Sequence, residues 1–236
     1  MKSSKSALTQ RGFVTEKEIM DCSHLNSNQL IKMLRSKISQ ERTIASTLLG
    51  QKSDKIAIVP LCEALKTEKK LYSKIGISEA LGSFGIDAVK KLTPLLGKIG
   101  NNQYKKLPAK PFNKTNYPLP RDIVARTITK IGVEALPNLI EILQKGSEGQ
   151  IAEAIDAIGY ISYYSNDNSS LNSLWDCLEN NRNNQIIVWK IIRSFQAFPD
   201  KKVINILKDI KLSSESQQIR WEAERSLIQI ESSSKK

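Results

Sequence analysis

Six nine-residue stretches of the chain repeat one pattern of hydrophobic and polar positions. In each stretch the fourth and eighth residues are apolar or small, as in Ala154 and Ile158 of IAEAIDAIG. Because residues four apart lie on one face of a helix, each stretch predicts a helix that buries this pair against a neighbour. The stretches are RTIASTLLG (42–50), KIGISEALG (74–82), VARTITKIG (124–132), IAEAIDAIG (151–159), VWKIIRSFQ (188–196) and RWEAERSLI (220–228).

A second set of apolar segments alternates with these stretches. Examples are ALPNLIEILQKG, which begins at Ala135, and KVINILKDI, which begins at Lys202. Short helices in pairs, repeated with few residues between them, predict an all-α fold, an α-solenoid. The first four stretches end in glycine, and we interpret these residues as helix C-caps with positive φ. They are Gly50, Gly82, Gly132 and Gly159.

The two helices of each predicted unit resemble a known repeat. The x-A-x-x-x-L-G rhythm of the second helix is similar to that of HEAT-like repeats, and so is ALPNLIEIL, with Pro137 near the start of a first helix. The likeness is strongest to the short repeats also found in phycobilin lyases. It covers about residues 26–230 and implies an armadillo-type solenoid of about six HEAT-like helix pairs. It leaves 1–25 as an N-terminal segment and 231–236 as a disordered tail.

One insertion interrupts the repeats. Gly82 and Gly132 are 50 residues apart, whereas Gly50 and Gly82 are 32 apart. The surplus falls between the two helices of the third repeat, at 100–119, GNNQYKKLPAKPFNKTNYPL. Its prolines are incompatible with a regular helix and favour extended conformations in the residues before them, so the insertion predicts a long loop.

The composition of this loop makes it the candidate contact surface. Lysines alternate with aromatic rings, and no acid occurs from Tyr104 to Arg121. Such a mixture suits a polyanion, since lysines track negative groups and rings stack on bases. The rings could equally fold back and pin the loop onto the solenoid, and both interpretations stay open. The predicted contact residues are Tyr104, Lys105, Lys106, Lys110, Phe112, Lys114, Tyr117, Arg121 and Arg126.

The charge of the chain points to acidic partners. The formal net charge is +12 and the pI is about 9.5, a balance that steers a protein towards polyanions. We expect the third and sixth residues of the six stretches to face away from the core, and these carry mixed signs, as at Glu153 and Arg193. A surface for duplex DNA would need a single sign. A protein partner is therefore favoured, with nucleic acid as the second candidate.

Candidate catalytic chemistry is sparse. His24 is the only histidine, and Cys22, Cys62 and Cys177 are far apart in the sequence, which argues against the usual zinc sites and His-based nucleophile pairs. We predict no metal and no cofactor, and favour a non-catalytic scaffold over an enzyme. The family resemblance adds two alternatives. A HEAT-like alkylpurine DNA glycosylase would release methylated purines from DNA, and a bilin-lyase-like protein would be coloured by a bound tetrapyrrole.

Two further expectations concern location and the tryptophans. No run approaches the ~20 apolar residues that cross a bilayer, and the N-terminus lacks the apolar core of a secretion signal. We therefore predict a cytoplasmic protein without a membrane partner. Trp189 and Trp221 occupy the second position of consecutive stretches, and we interpret them as packing residues between terminal repeats rather than as the walls of a groove.

Overall fold

The computed structural model describes residues 4–233, and among these it contains helices but no strand. Short 3₁₀ turns join several of the helices. The α-helices are α1 (Lys5–Gln10), α2 (Glu16–Asp21), α3 (Ser27–Met33), α4 (Ser39–Lys52), α5 (Ile58–Thr67), α6 (Leu71–Ser83), α7 (Ile86–Leu92), α8 (Ile123–Thr129), α9 (Leu136–Lys145), α10 (Glu148–Ser165), α11 (Leu171–Asn180), α12 (Gln185–Ser194), α13 (Lys201–Ser213) and α14 (Gln217–Ser233). None of the helices in this described part is both long and apolar enough to cross a bilayer.

The helices form two compact units, which divide between Leu92 and Thr93. In the first unit, α4 packs against α6, while α3 pairs with α4 and α5 with α6. In the second unit, α8, α10, α12 and α14 form a row of successive contacts, α9 pairs with α10 and α13 with α14, and α9 also contacts α11. Second helices thus stack on second helices, as in an α-solenoid, and the predicted all-α class is confirmed. The division itself falls within the third predicted helix pair.

The fourth and eighth positions of the six stretches form the core, as the pattern predicts. Every one of these side chains is buried except Ile131, which is half-buried because α8 ends before it. The buried members are Ala45, Leu49, Ile77, Leu81, Thr127, Ala154, Ile158, Ile191, Phe195, Ala223 and Leu227.

The interpretation of the four glycines as helix C-caps is wrong. Only Gly132 has a positive φ, of 82°, and it begins a 3₁₀ turn, because α8 has its C-cap two residues earlier, at Lys130. The other three lie inside α4, α6 and α10, and α4 and α10 end instead at left-handed Ser53 and Asn166. The glycine in α4 permits close helix contact, since a Cβ on Gly50 would lie 2.9 Å from the Cα of Ala80 in α6.

This close approach makes Gly50→Ala a test of the packing in the first unit. We expect it to lower the free energy of unfolding by about 1–3 kcal/mol, because the backbone of α6 must move to accept the methyl group. The matched control is Gly149→Ala, another helical glycine, whose Cβ would meet nothing within 4 Å. Urea unfolding followed by circular dichroism should show the control at or above wild-type stability. Equal stability of the two variants would contradict the close contact.

Both terminal segments contain helix where the structure describes them. In the N-terminal segment, the carbonyl oxygen of Gly12 accepts a hydrogen bond from Thr43 Oγ1 at 2.7 Å, and Phe13 packs edge-on against Tyr72. Residues 4–25 therefore belong to the packed first unit. At the other end α14 reaches Ser233 and includes the first three residues of the predicted tail. Residues 1–3 and 234–236 lie outside the described part.

Candidate partner-binding surface

The predicted loop lies within the segment between Leu95 and Ile123, in which the structure has no helix or strand. Asp122 fixes its two ends. Asp122 is buried and caps α8 through Oδ1, which accepts hydrogen bonds from the backbone N–H groups of Val124 and Ala125 at 2.9 and 2.8 Å. Its other oxygen accepts from Gln103 Nε2 at 2.7 Å. Burial raises the pKa of Asp122, although these hydrogen bonds oppose the change.

Tyr117 inserts into the second unit and is only 3% exposed. Its ring lies 5.6 Å from that of Tyr163 and 6.2 Å from that of Tyr160, between centroids, and Tyr164 Oη donates a hydrogen bond to the Tyr117 carbonyl at 3.3 Å. The hydroxyl group lies directly over Gly159 of α10, where any Cβ would overlap it. Burial raises the pKa of Tyr117, so the phenol stays neutral.

Tyr104 and Phe112 also face the helices. The ring of Tyr104 packs edge-on against Trp189 with centroids 4.9 Å apart, and the Arg121 guanidinium lies 4.4 Å from the Tyr104 centroid. Phe112 lies 5.0 Å from the guanidinium of Arg193 and 5.4 Å from that of Arg225, distances typical of cation–π contact. All three loop rings therefore contact the second unit, as in the interpretation in which they pin the loop.

The basic residues of the loop face outward. The side chains of Lys105, Lys106, Lys110, Lys114 and Arg121 are exposed. Arg126 differs, because it is half-buried and donates from Nε and Nη2 to the carbonyl oxygen of Pro120 at 3.1 and 3.0 Å. It supports the end of the loop. The predicted contact residues thus separate into inward-facing rings, a supporting arginine and outward-facing cations.

Beneath the loop lies a buried set of charges, which overturns, for the last three stretches, the expectation that the third and sixth positions face away from the core. Lys190 on α12 is fully buried, and its Nζ lies 2.7 Å from Glu153 Oε1 and 2.8 Å from Asp156 Oδ2, both on α10. Burial acts to lower the pKa of Lys190, but the two carboxylates outweigh it and raise that pKa. The lysine therefore stays charged.

The same set continues onto α14. Arg193 lies 3.3 Å from Glu222, and Arg225 lies 2.7 Å from the same carboxylate. Arg193 also lies 3.9 Å from the centroid of Trp189, while Nη1 of Arg225 donates to Gln196 Oε1 at 3.2 Å. Because the guanidinium groups of Arg193 and Arg225 also contact Phe112, the charge set forms part of the floor under the loop.

The sequence carried a signal for this set. At the third position the last three stretches hold Glu153, Lys190 and Glu222, so opposite charges alternate along the row of stacked helices. At the sixth position the order is Asp156, Arg193 and Arg225. Complementary charges at equivalent repeat positions are placed next to each other by stacking, and this alternation could have indicated burial.

The two repeated tryptophans differ in the structure. Trp189 is 1% exposed and packs in the core, which confirms its interpretation as a packing residue. Trp221 is half-buried and lines a groove of about 470 Å³ between the loop and α14. Phe112 and Lys114 form the loop side of this groove, and Ile228, which is 52% exposed, lies on α14.

The cysteines offer no reactive thiol in the core. Burial raises the pKa of Cys62 and of Cys177 to about 11, so both are neutral thiols at pH 7. Cys22 is half-buried and unbridged. Among residues 4–233, no group of three or more His, Cys, Asp or Glu side chains is placed to hold a metal ion.

No family model matches the sequence, and no curated protein matches it. Solved structures similar to the chain include a designed armadillo repeat protein, with 14% identity, coverage of 87% of this chain and 100% of that chain, and a TM-score of 0.35. Another designed armadillo repeat protein, in complex with the peptide (KR)4, has 15% identity, coverage of 94% of this chain and 90% of that chain, and a TM-score of 0.37. Human deoxyhypusine hydroxylase has 14% identity, coverage of 96% of this chain and 94% of that chain, and a TM-score of 0.39.

Proposed function

We propose that the chain is a non-catalytic scaffold of HEAT-like repeats that binds an acidic, extended segment of a protein partner through the loop. The observation that carries this proposal is the orientation of the loop, whose three rings face the helices while four lysines and Arg121 face outward. A loop held in place by inward-facing rings presents its charges without having to be ordered on binding, and this lowers the entropic cost of association.

The orientation of the rings favours a protein over a nucleic acid. Single-stranded nucleic acids are bound by cations together with rings on which the bases stack. In this loop Tyr117 is buried, and Tyr104 and Phe112 are covered by Trp189 and by arginines. Rings next to the cations remain only at the groove lined by Phe112 and Trp221, whereas carboxylates along an extended peptide need only the cations.

The groove beside Lys114 adds an apolar contact. Trp221 and Ile228 provide apolar surface next to the loop lysines, with Arg225 at the base. A partner segment with one large apolar side chain among its acidic residues would fit both features. Peptide recognition of this kind places an apolar anchor in a pocket and surrounds it with polar contacts.

Replacing Lys105, Lys106, Lys110 and Lys114 by alanine tests this function. The probe is a fluorescein-labelled peptide of eight glutamates with a central leucine, measured by anisotropy beside an eight-residue thymidylate oligonucleotide. Exposed ion pairs contribute about 0.2–1 kcal/mol each, so we expect peptide affinity to fall by about 10- to 100-fold in the variant. We also expect a shallower dependence on salt.

The control variant carries Lys17, Lys90, Lys91 and Lys208 as alanine, four exposed lysines outside the loop that give the same change in net charge. We expect it to bind the peptide as the wild type does. An equal loss in both variants would show that net charge alone attracts the peptide. If the wild type binds the oligonucleotide more tightly than the peptide, the partner is a nucleic acid rather than a protein.

A further inference from the structure

A pocket of about 370 Å³ lies in the second unit, at the start of the loop. One wall is formed by the start of the loop, including Gln103 and Tyr104, and another by Ile186 and Ile187 near the start of α12. Glu153 on α10 lines the pocket as well. The pocket therefore combines apolar walls with a buried carboxylate.

The carboxylate of Glu153 is only partly satisfied. The residue is 2% exposed, and its Oε1 accepts a hydrogen bond from Lys190 Nζ at 2.7 Å. Its Oε2 is buried and has no hydrogen-bond partner among the described residues. Buried polar atoms are nearly always hydrogen-bonded, and since Glu153 lines the pocket, a donor that reaches Oε2 from the pocket would supply the missing partner.

The charges around Glu153 favour a positively charged donor. Asp156 and Asp122 act electrostatically on Glu153 as like charges, whereas Lys190 is the opposite charge paired with it. The charge set as a whole has an acidic end at Glu153 and Asp156 and a basic end at Arg193 and Arg225. At the mouth of the pocket Lys105 and Glu148 are exposed, and exposed charges are screened more strongly than buried ones.

We propose that this pocket binds a small aliphatic primary amine, whose ammonium group donates to Glu153 Oε2 while its methylene chain lies against Tyr104, Ile186 and Ile187. Glu148, which also lines the pocket, precedes Glu153 on α10 and is a second carboxylate at this pocket. A diamine would therefore have an acidic partner for each of its two nitrogen atoms. The preferred ligand is therefore a diamine rather than a monoamine.

The titration of Glu153 gives the pH dependence of binding. Burial, together with Asp156 and Asp122, raises the pKa of Glu153 to about 7, although Lys190 opposes the change. An ammonium group binds the ionised carboxylate and lowers this pKa. Affinity should therefore rise as the pH rises through 7 and fall below it. The charged groups that the structure brings towards this site are Asp122, Glu148, Asp156, Lys190, Lys105 and Arg121.

Titration calorimetry of the full chain with 1,4-diaminobutane, butylamine and butyrate tests the proposal. We expect the diamine to bind more tightly than butylamine, and butyrate not to bind. Between pH 8 and pH 6 the affinity for the diamine should fall by about tenfold, as the ionised fraction of Glu153 falls. Absence of binding by either amine at millimolar concentration would overturn the proposal.

Two variants assign the contacts. Glu153→Gln should abolish amine binding and remain folded, since Lys190 keeps its ion pair with Asp156. Glu148→Gln changes an exposed residue and should reduce the affinity for the diamine to that for butylamine. If Glu153→Gln fails to fold, the diamine affinity of Glu148→Gln and the pH dependence of binding in the wild type still test the proposed site. Unchanged diamine binding in either folded variant would contradict the site.

Discussion

Replacing Lys190 by methionine is expected to lower the free energy of unfolding by about 3–5 kcal/mol. The substitution leaves Glu153 and Asp156 buried beside each other without the cation that now lies 2.7 and 2.8 Å from them. Removal of one partner from a buried ion pair is costly because the remaining charge stays out of water. Urea unfolding at pH 8, followed by circular dichroism, measures the change.

The loss should depend on pH with a definite sign. In the wild type the raised pKa of Glu153 means that its contribution to stability is fully present below about pH 4.5 and is lost as the pH rises through about 7. Without Lys190 the pKa of Glu153 rises further, so the deficit of the variant should be smaller at pH 5 than at pH 8. A deficit below 1 kcal/mol at pH 8 would show that the charge set is not buried.

Two controls separate the charge effect from the loss of the side chain. Lys201→Met changes an exposed lysine on α13 and should leave stability within about 0.5 kcal/mol of the wild type. The triple variant Glu153→Gln, Asp156→Asn and Lys190→Met removes the acids with the base. It should recover part of the stability that Lys190→Met loses, because no uncompensated charge remains.

Gly159→Ala is expected to expel Tyr117 and lower the free energy of unfolding by about 3–5 kcal/mol, the usual cost of losing a buried aromatic ring. The new methyl group would overlap the Tyr117 hydroxyl and lie 2.7 Å from the Cζ atom of that ring. A small shift cannot relieve the overlap, because the Cβ of Ser194 lies 2.9 Å away on α12. Denaturant unfolding gives the loss of stability.

Trypsin reports the fate of the loop in the same variant. Release of Tyr117 should expose the backbone around Lys114, which is followed by Thr115, and speed cleavage there. In the double variant with Tyr117→Ala the methyl group no longer meets the ring, so the two effects should be strongly non-additive. Cleavage of Gly159→Ala at the wild-type rate, with additive stabilities, would contradict the insertion of Tyr117 over this glycine.

The helices could be predicted from the sequence because each repeat buries an apolar pair four residues apart. The pattern fails at the third and sixth positions of the last three stretches, because it treats a charged residue as a mark of the exposed face. On α10, α12 and α14 these positions face neighbouring helices in the row, so Glu153, Lys190 and Glu222 pair across them. These residues are buried because they have partners of opposite charge on the neighbouring helices. The pattern within a single helix contains no information about those partners.

The loop was predictable as a loop, but the direction of its rings was not. The prolines exclude a helix, whereas the choice between inward and outward rings depends on a receiving site elsewhere in the chain. Gly159 provides that site, since its missing side chain leaves room for Tyr117. The repeat pattern predicted that this glycine ends a helix. In the structure α10 continues past it, and the C-cap is Asn166, seven residues further along the chain.

The contact between the buried charges and the loop would link the stability of the fold to the proposed binding. Arg193 and Arg225 pair with Glu222 and also lie against Phe112, while Arg225 Nη1 donates to the Lys114 carbonyl at 3.4 Å. Loss of these pairs would therefore disturb the backbone that carries the exposed lysines. We infer that the charge set helps to keep the outward face of the loop in one arrangement.

The most direct test of the proposed binding surface is zero-length carbodiimide cross-linking of the acidic peptide to the intact protein, read by mass spectrometry. This reagent joins peptide carboxylates to lysines that contact them. We expect most cross-links at Lys105, Lys106, Lys110 and Lys114, with suppression by salt. Cross-links spread evenly over other exposed lysines, such as Lys17, Lys90 and Lys208, would contradict the loop as the site of binding.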